Sequence, residues 1–108
     1  MSKNLTLDDL DALSALRLLT RDFGELPAPS VDVSPLFPRR LRLLFHDTLS
    51  DFEAWREALG IAADDVDYHE QDEGRTLVLQ AATKHAGALV ELTAFGDVYA
   101  TGVHGGAA

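Results

Sequence analysis

Apolar residues recur along this chain at two periods, and the switches between them divide it into elements. Leu7, Leu10, Leu13, Leu16 and Leu19 stand at every third position, with Leu18 and Phe23 beside them. A strict repeat of three drifts around a helix, so it predicts a helix with a broad apolar surface rather than a narrow seam. Thr6 reads as its N-cap, with Asp9 three residues on completing a capping-box variant. Asp8, Asp9 and Asp11 fall in the first turns and Arg17 and Arg21 in the last, both favourable for the helix dipole. Gly24 marks the end.

The clearest helical signal is Leu49–Ile61. Ser50 is the expected N-cap and Glu53 its capping-box partner. Phe52, Trp55 and Leu59 share one face at spacings of three and four, with Ala58 beside them. Glu53, Arg56 and Glu57 take the other side, where Glu53 can pair with Arg56. Gly60 supplies a residue able to turn left-handed, and Ile61 can fold back onto the last turn.

Elsewhere the period is two. Ser30–Ser34 alternates around Val31 and Val33 and predicts a short strand. Leu26-Pro27-Ala28-Pro29 before it is an extended connector, because each proline moves its predecessor out of the helical region. Pro35 and Pro38 flank Leu36-Phe37 and predict an irregular hairpin loop rather than a tight two-residue turn. Arg39–His46 is a second strand, with Leu41, Leu43 and Phe45 on one face and Arg40, Arg42, Leu44 and His46 on the other. After an Ala62–Asp65 linker, Val66–Gln71 reads as a polar edge strand and Asp72-Glu73-Gly74 as a turn. Arg75–Thr83 and Ala88–Phe95 are the last clear strands, joined by a turn at Lys84–Gly87, with a short extension at Val98–Thr101.

The order is α-β-β-α-β-β-β. It predicts an α+β two-layer sandwich, with two helices on one face of a mainly antiparallel sheet of about five strands. Residues 1–101 form a single domain and 102–108 a flexible C-terminal tail. The face away from the helices carries Arg40, Arg42 and His46.

Composition narrows the function classes. The 108 residues are 46% hydrophobic, enough for one folded domain with a small core. Eighteen acids against nine bases give a net charge of −9, which argues against direct nucleic-acid binding, where cations must track the phosphates. There is no cysteine, hence no disulfide framework or thiol chemistry. The first residues lack a basic stretch followed by an apolar run, and no apolar run reaches the length of a membrane span. A cytoplasmic protein that does not engage membranes is expected.

Candidate chemistry is sparse. The chain has no Walker loop, GxSxG elbow or dinucleotide fingerprint. His46-Asp47, between the second strand and the Trp55 helix, places an imidazole beside a carboxylate that could tune it as a base, although neighbours in a strand point to opposite faces. Arg39, Arg40 and Arg42 form the one basic patch, suited to a phosphate or an acidic partner. Asp64, Asp65, Asp67 and Glu70 belong to a run of six acids over residues 64–73. Asp67 and His69 share a strand face, but the spacing matches no zinc pattern, and the run lacks the alternation and central glycine of a calcium loop. Neither a metal nor a cofactor is expected. An acidic edge that discourages strand-to-strand aggregation is the simpler account.

Leu26-Pro27-Ala28-Pro29-Ser30-Val31-Asp32-Val33, the Phe45-His46-Asp47 junction and Phe52–Gly60 together resemble small uncharacterised actinobacterial proteins, often of phage or mobile-element context. The resemblance covers about residues 7–97 and implies an accessory role, with no catalytic residues to transfer. The leading reading is therefore a cytoplasmic protein-interaction or accessory module without catalytic activity. It would use a sheet face or the acidic edge, through Arg39, Arg40, Arg42, His46, Asp64, Asp65, Asp67 and Glu70. A sharper form is an acidic inhibitor that imitates nucleic acid. The alternative is a small-ligand binder or enzyme with its site near His46, Asp47 and the Arg39–Arg42 patch. A third reading is a homodimer formed through the leucine surface of the first helix.

Overall fold

The fold is taken from a computed structural model, which describes residues 5–46, 49–71 and 73–97. The elements follow the expected order: α1 (Asp11–Asp22), β1 (Ser30–Ser34), β2 (Phe37–His46), α2 (Leu49–Ala58), β3 (Asp67–Gln71), β4 (Thr76–His85) and β5 (Ala88–Asp97). The five strands form one mixed sheet in the order β1-β2-β5-β4-β3. Sequential neighbours pair antiparallel; β2 and β5, brought together from distant parts of the chain, pair parallel at the centre.

Both helices lie on one face, making an α+β two-layer sandwich. Leu41, Leu43 and Phe45 of β2 are opposite Val90, Leu92 and Ala94 of β5, and all six are buried beneath α1 and α2. From α2, Phe52 meets Phe45 edge to face, with ring centroids 6.1 Å apart. Trp55 is only 5% exposed, and its indole N–H donates to the Pro27 carbonyl at 2.7 Å. That bond ties the central helix to the connector before β1.

Several local expectations change. The Thr6–Asp9 pair forms, with the Asp9 carboxylate accepting from the Thr6 amide at 3.0 Å. It closes only a 3₁₀ turn over Leu7–Asp9; Leu10 is extended and buried, and α1 begins at Asp11. The leucine stripe is consequently divided. Leu7 is 74% exposed, while α1 buries Ala12, Ala15 and Leu19. The two alanines allow the helix to approach the sheet closely, and the surrounding leucines form the flanks.

Ser50 is not the N-cap of α2, because the helix already includes Leu49. The residues before it, Asp47 and Thr48, lie outside the described set. The other end matches the expectation. Gly60 has φ 75°, its amide donates to the Glu57 carbonyl at 3.1 Å, and the Ile61 amide reaches the Arg56 carbonyl at 3.0 Å. These are the paired bonds of a Schellman cap. Arg56 strengthens it: the guanidinium donates to the Ile61 carbonyl at 2.6 Å and grips both Glu53 oxygens at 3.0 and 2.9 Å. Donating to the Glu53 carboxylate raises the Arg56 pKa above its ordinary value.

The β1–β2 hairpin is tight, contrary to expectation. Ser34 pairs with Phe37, leaving Pro35-Leu36 as a two-residue connection, and the Ser34 hydroxyl accepts from the Leu36 amide at 3.1 Å. The register shifts between Val33 and Ser34, so Pro38 falls in the irregular stretch and breaks no ladder. The predicted extension at 98–101 and tail at 102–108 lie outside the described residues.

Trp55→Ala is expected to destabilise the chain by about 3–5 kcal/mol. Trp55→Phe should recover most of this loss, retaining a deficit of about 1 kcal/mol for the missing bond to Pro27. Denaturant titration checks both values, and equal stability of the phenylalanine variant and the native chain would remove the Pro27 bond from the account.

The β4–β5 turn contains a second local test. His85 pairs with Ala88, so Ala86-Gly87 is a two-residue turn with φ of 52° and 83°. Alanine lacks glycine's tolerance of the left-handed region. Ala86→Gly is expected to raise stability by about 0.5–1 kcal/mol, the relief of strain exceeding the added freedom of the unfolded chain. A lower melting temperature would contradict this.

Candidate functional site

The helices cover one side of the sheet, and pairing sorts the side chains of the other side into rows. Asp32, Arg42, Glu91 and Ala82 make one row across β1, β2, β5 and β4. Ser30, Leu44, Thr93, Gln80 and Asp67 make the next, across all five strands. His46, Phe95, Val78 and His69 make a third. The middle of this uncovered face is half-apolar: Leu44 and Phe95 are half-buried and Val78 is 1% exposed.

The first row alternates in charge. Arg42 lies 3.5 Å from Asp32 and 3.8 Å from Glu91, and Arg40 lies 3.7 Å from the same Glu91 oxygen. These separations give ion pairs without hydrogen bonds. Arg40 also lies over the Phe37 ring, 4.1 Å from its centroid. Where Ala82 replaces a long side chain, the row drops into an open recess of about 490 Å³. Arg40, Arg42 and Glu91 bound it, Gln80 and Thr93 contribute to its lining, and Asp65 reaches it from the 3₁₀ turn over Ala63–Asp65. Thr93 is 3% exposed and its hydroxyl has no hydrogen-bond partner among the described residues. An unpaired buried hydroxyl costs about 1–3 kcal/mol, so its presence calls for a reason.

The predicted site residues separate. Arg40, Arg42 and His46 lie on the uncovered face, as the alternation of β2 requires. Arg39 points to the helix side, where it pairs with Asp11 of α1 at 3.4 Å; the proposed three-arginine patch is thus split by the pleat. His46 stacks on Phe95, with centroids 5.3 Å apart and planes 13° from parallel. Its suggested partner Asp47 is outside the described residues. Asp64 and Asp65 are both exposed, and of the two only Asp65 lines the recess. Asp67 shares its face with His69 at 3.6 Å, whereas Glu70 lies on the opposite face and accepts a hydrogen bond from the Tyr68 hydroxyl at 3.1 Å. No group of three or more metal-binding side chains occurs among the described residues.

Asp32, Gln80, Glu91, Thr93 and Phe95 were not singled out by the sequence. Their period-two alternation is legible, but their neighbours on the face come from strands distant in the chain. No protein family, curated protein or solved structure matches this chain. Among the described residues, no helix is long and apolar enough to cross a membrane.

Tyr68 offers a pH test of the edge-strand geometry. The Glu70 hydrogen bond, some burial and the Glu70 charge raise its pKa above 10.0. A raised folded-state value means that this small stabilisation is fully present below the unfolded tyrosine pKa and is lost as pH rises through the folded one. Glu70→Ala should return the Tyr68 titration, followed by ring NMR shifts, towards its ordinary value. An unchanged titration would show that the pair does not persist in solution.

Proposed function

We propose that the chain is a small acidic accessory module that docks on a protein partner through the uncovered face of its sheet. One observation carries this reading: helices cover only one side of the sheet, and the other presents half-buried Leu44 and Phe95 among charged and polar rows. Such a surface suits an interface with an apolar centre and a polar rim. The net charge of −9, with exposed Asp64, Asp65 and Asp67 at one margin, favours a partner whose own rim is basic. A cytoplasmic setting and the resemblance to mobile-element proteins of actinobacteria are parts of the same proposal.

The test is tagged capture from the native host's lysate at low and high salt, using the native chain, Leu44→Glu and Ser14→Glu. The last two make the same charge change on the sheet face and on exposed α1. A stoichiometric partner should be captured by the native chain and Ser14→Glu, and lost by Leu44→Glu. Loss at high salt would assign more of the binding to the charged rim. Loss with Ser14→Glu alone would move the interface to α1, and capture of no partner at either salt would overturn the proposal.

A further inference from the structure

The geometry points to the recess above Ala82 as a binding site for a small zwitterion with the charge pattern of a free α-amino acid. Its walls balance in charge. Arg40 and Arg42 stand on one side, while Glu91 and Asp65 supply two carboxylates. A simple anion would meet the two acids, and a simple cation the two guanidiniums. A molecule bearing one charge of each sign can satisfy both sets.

The hydrogen-bonding groups are also uncommitted. Arg40 and Arg42 approach Glu91 at 3.7 and 3.8 Å, Arg42 lies 3.5 Å from Asp32, and among the described residues neither arginine makes a hydrogen bond. A ligand carboxylate can therefore accept from them at closer range, forming the charge-assisted bonds for which guanidinium is suited. Asp65 can accept from an ammonium group. Thr93 supplies the independent sign of a ligand: its hydroxyl is buried, lines the recess and has no hydrogen-bond partner among the described residues. Gln80, next to it across the β4–β5 pairing, adds an amide able to donate and accept. The volume of about 490 Å³ falls in the range of small-molecule clefts.

The cause of the recess is the register itself. In the Asp32–Arg42–Glu91–Ala82 row, the fourth position is a methyl group, and β3 begins only at Asp67, beyond that row. The chain instead reaches the site through Asp65. A larger residue at position 82 would fill the hollow without touching the helix-side core.

This inference stands apart from the docking proposal, because its test needs no partner protein. The ¹⁵N-labelled full chain is titrated with L-serine and glycine, and separately with acetate and methylammonium, against a sodium chloride control. The zwitterions should give saturable shifts at Ala82, Glu91 and Thr93 and at the Arg40 and Arg42 side-chain N–H groups. Each half-probe should bind at least about tenfold more weakly. Arg42→Gln should raise the serine Kd about tenfold, and Thr93→Val about threefold to tenfold. Thr93→Val removes an unpaired hydroxyl at nearly constant shape, so its melting temperature should hold or rise, separating lost binding from lost folding. Absence of saturation with both zwitterions, equal binding of acetate, or an unchanged serine Kd in either variant would overturn the assignment.

Discussion

The parallel pairing of β2 with β5 is the constraint on which the rest of the structure depends. Parallel neighbours cannot be joined by a tight turn, so the chain leaves His46, forms α2, crosses through β3 and β4 and returns at Ala88. This makes β5 the central strand, flanked by β2 and β4, and leaves β1 and β3 as the edges. It also matches Leu41, Leu43 and Phe45 to Val90, Leu92 and Ala94. α1 approaches this core through Ala12 and Ala15, and α2 inserts Phe52 and Trp55. Trp55, bonded to Pro27, links the core to the connector from which the first edge strand departs.

One-sided helical cover leaves the same central strands with a second face of different physics. There, cross-strand pairing places Asp32, Arg42 and Glu91 in alternating charge, a favourable arrangement for side chains sharing one sheet surface. It also places His46 on Phe95 and confines Val78 between Phe95 and His69 in a row. The edges are protected differently. β1 carries Asp32, an irregular register and flanking prolines, while β3 exposes Asp67 and Glu70. Both devices oppose indiscriminate strand addition.

Much of the architecture was legible because it is local. The β1 alternation located Ser30–Ser34 to the residue, and the Gly60 signal located the end of α2. Local patterns misled where two signals competed. The repeat of leucines extended the first helix through Leu10, although the Thr6–Asp9 contact satisfies only the turn before it and Leu10 is drawn into the core. The two prolines around Leu36-Phe37 suggested an irregular loop rather than a tight turn, but displaced register absorbs Pro38 within β2. The site was only partly legible. Alternation correctly placed Arg40, Arg42 and His46 together; the adjacency of Arg39 in sequence concealed its position across the sheet.

The sequence by itself determined element types and order, the apolar side of β2, and the burial of Phe52 and Trp55, since periodicity and turn chemistry act over a few residues. Only tertiary structure decided that Glu91 lies between Arg40 and Arg42, that Thr93 is buried without a hydrogen-bond partner among the described residues, and that Asp65 reaches a recess opened by Ala82. Those relations depend on the β2–β5 register, which joins segments more than forty residues apart. Each strand's alternation specifies which side chains share its own faces. It leaves the neighbour and the alignment to the packing of the whole sheet against its helices.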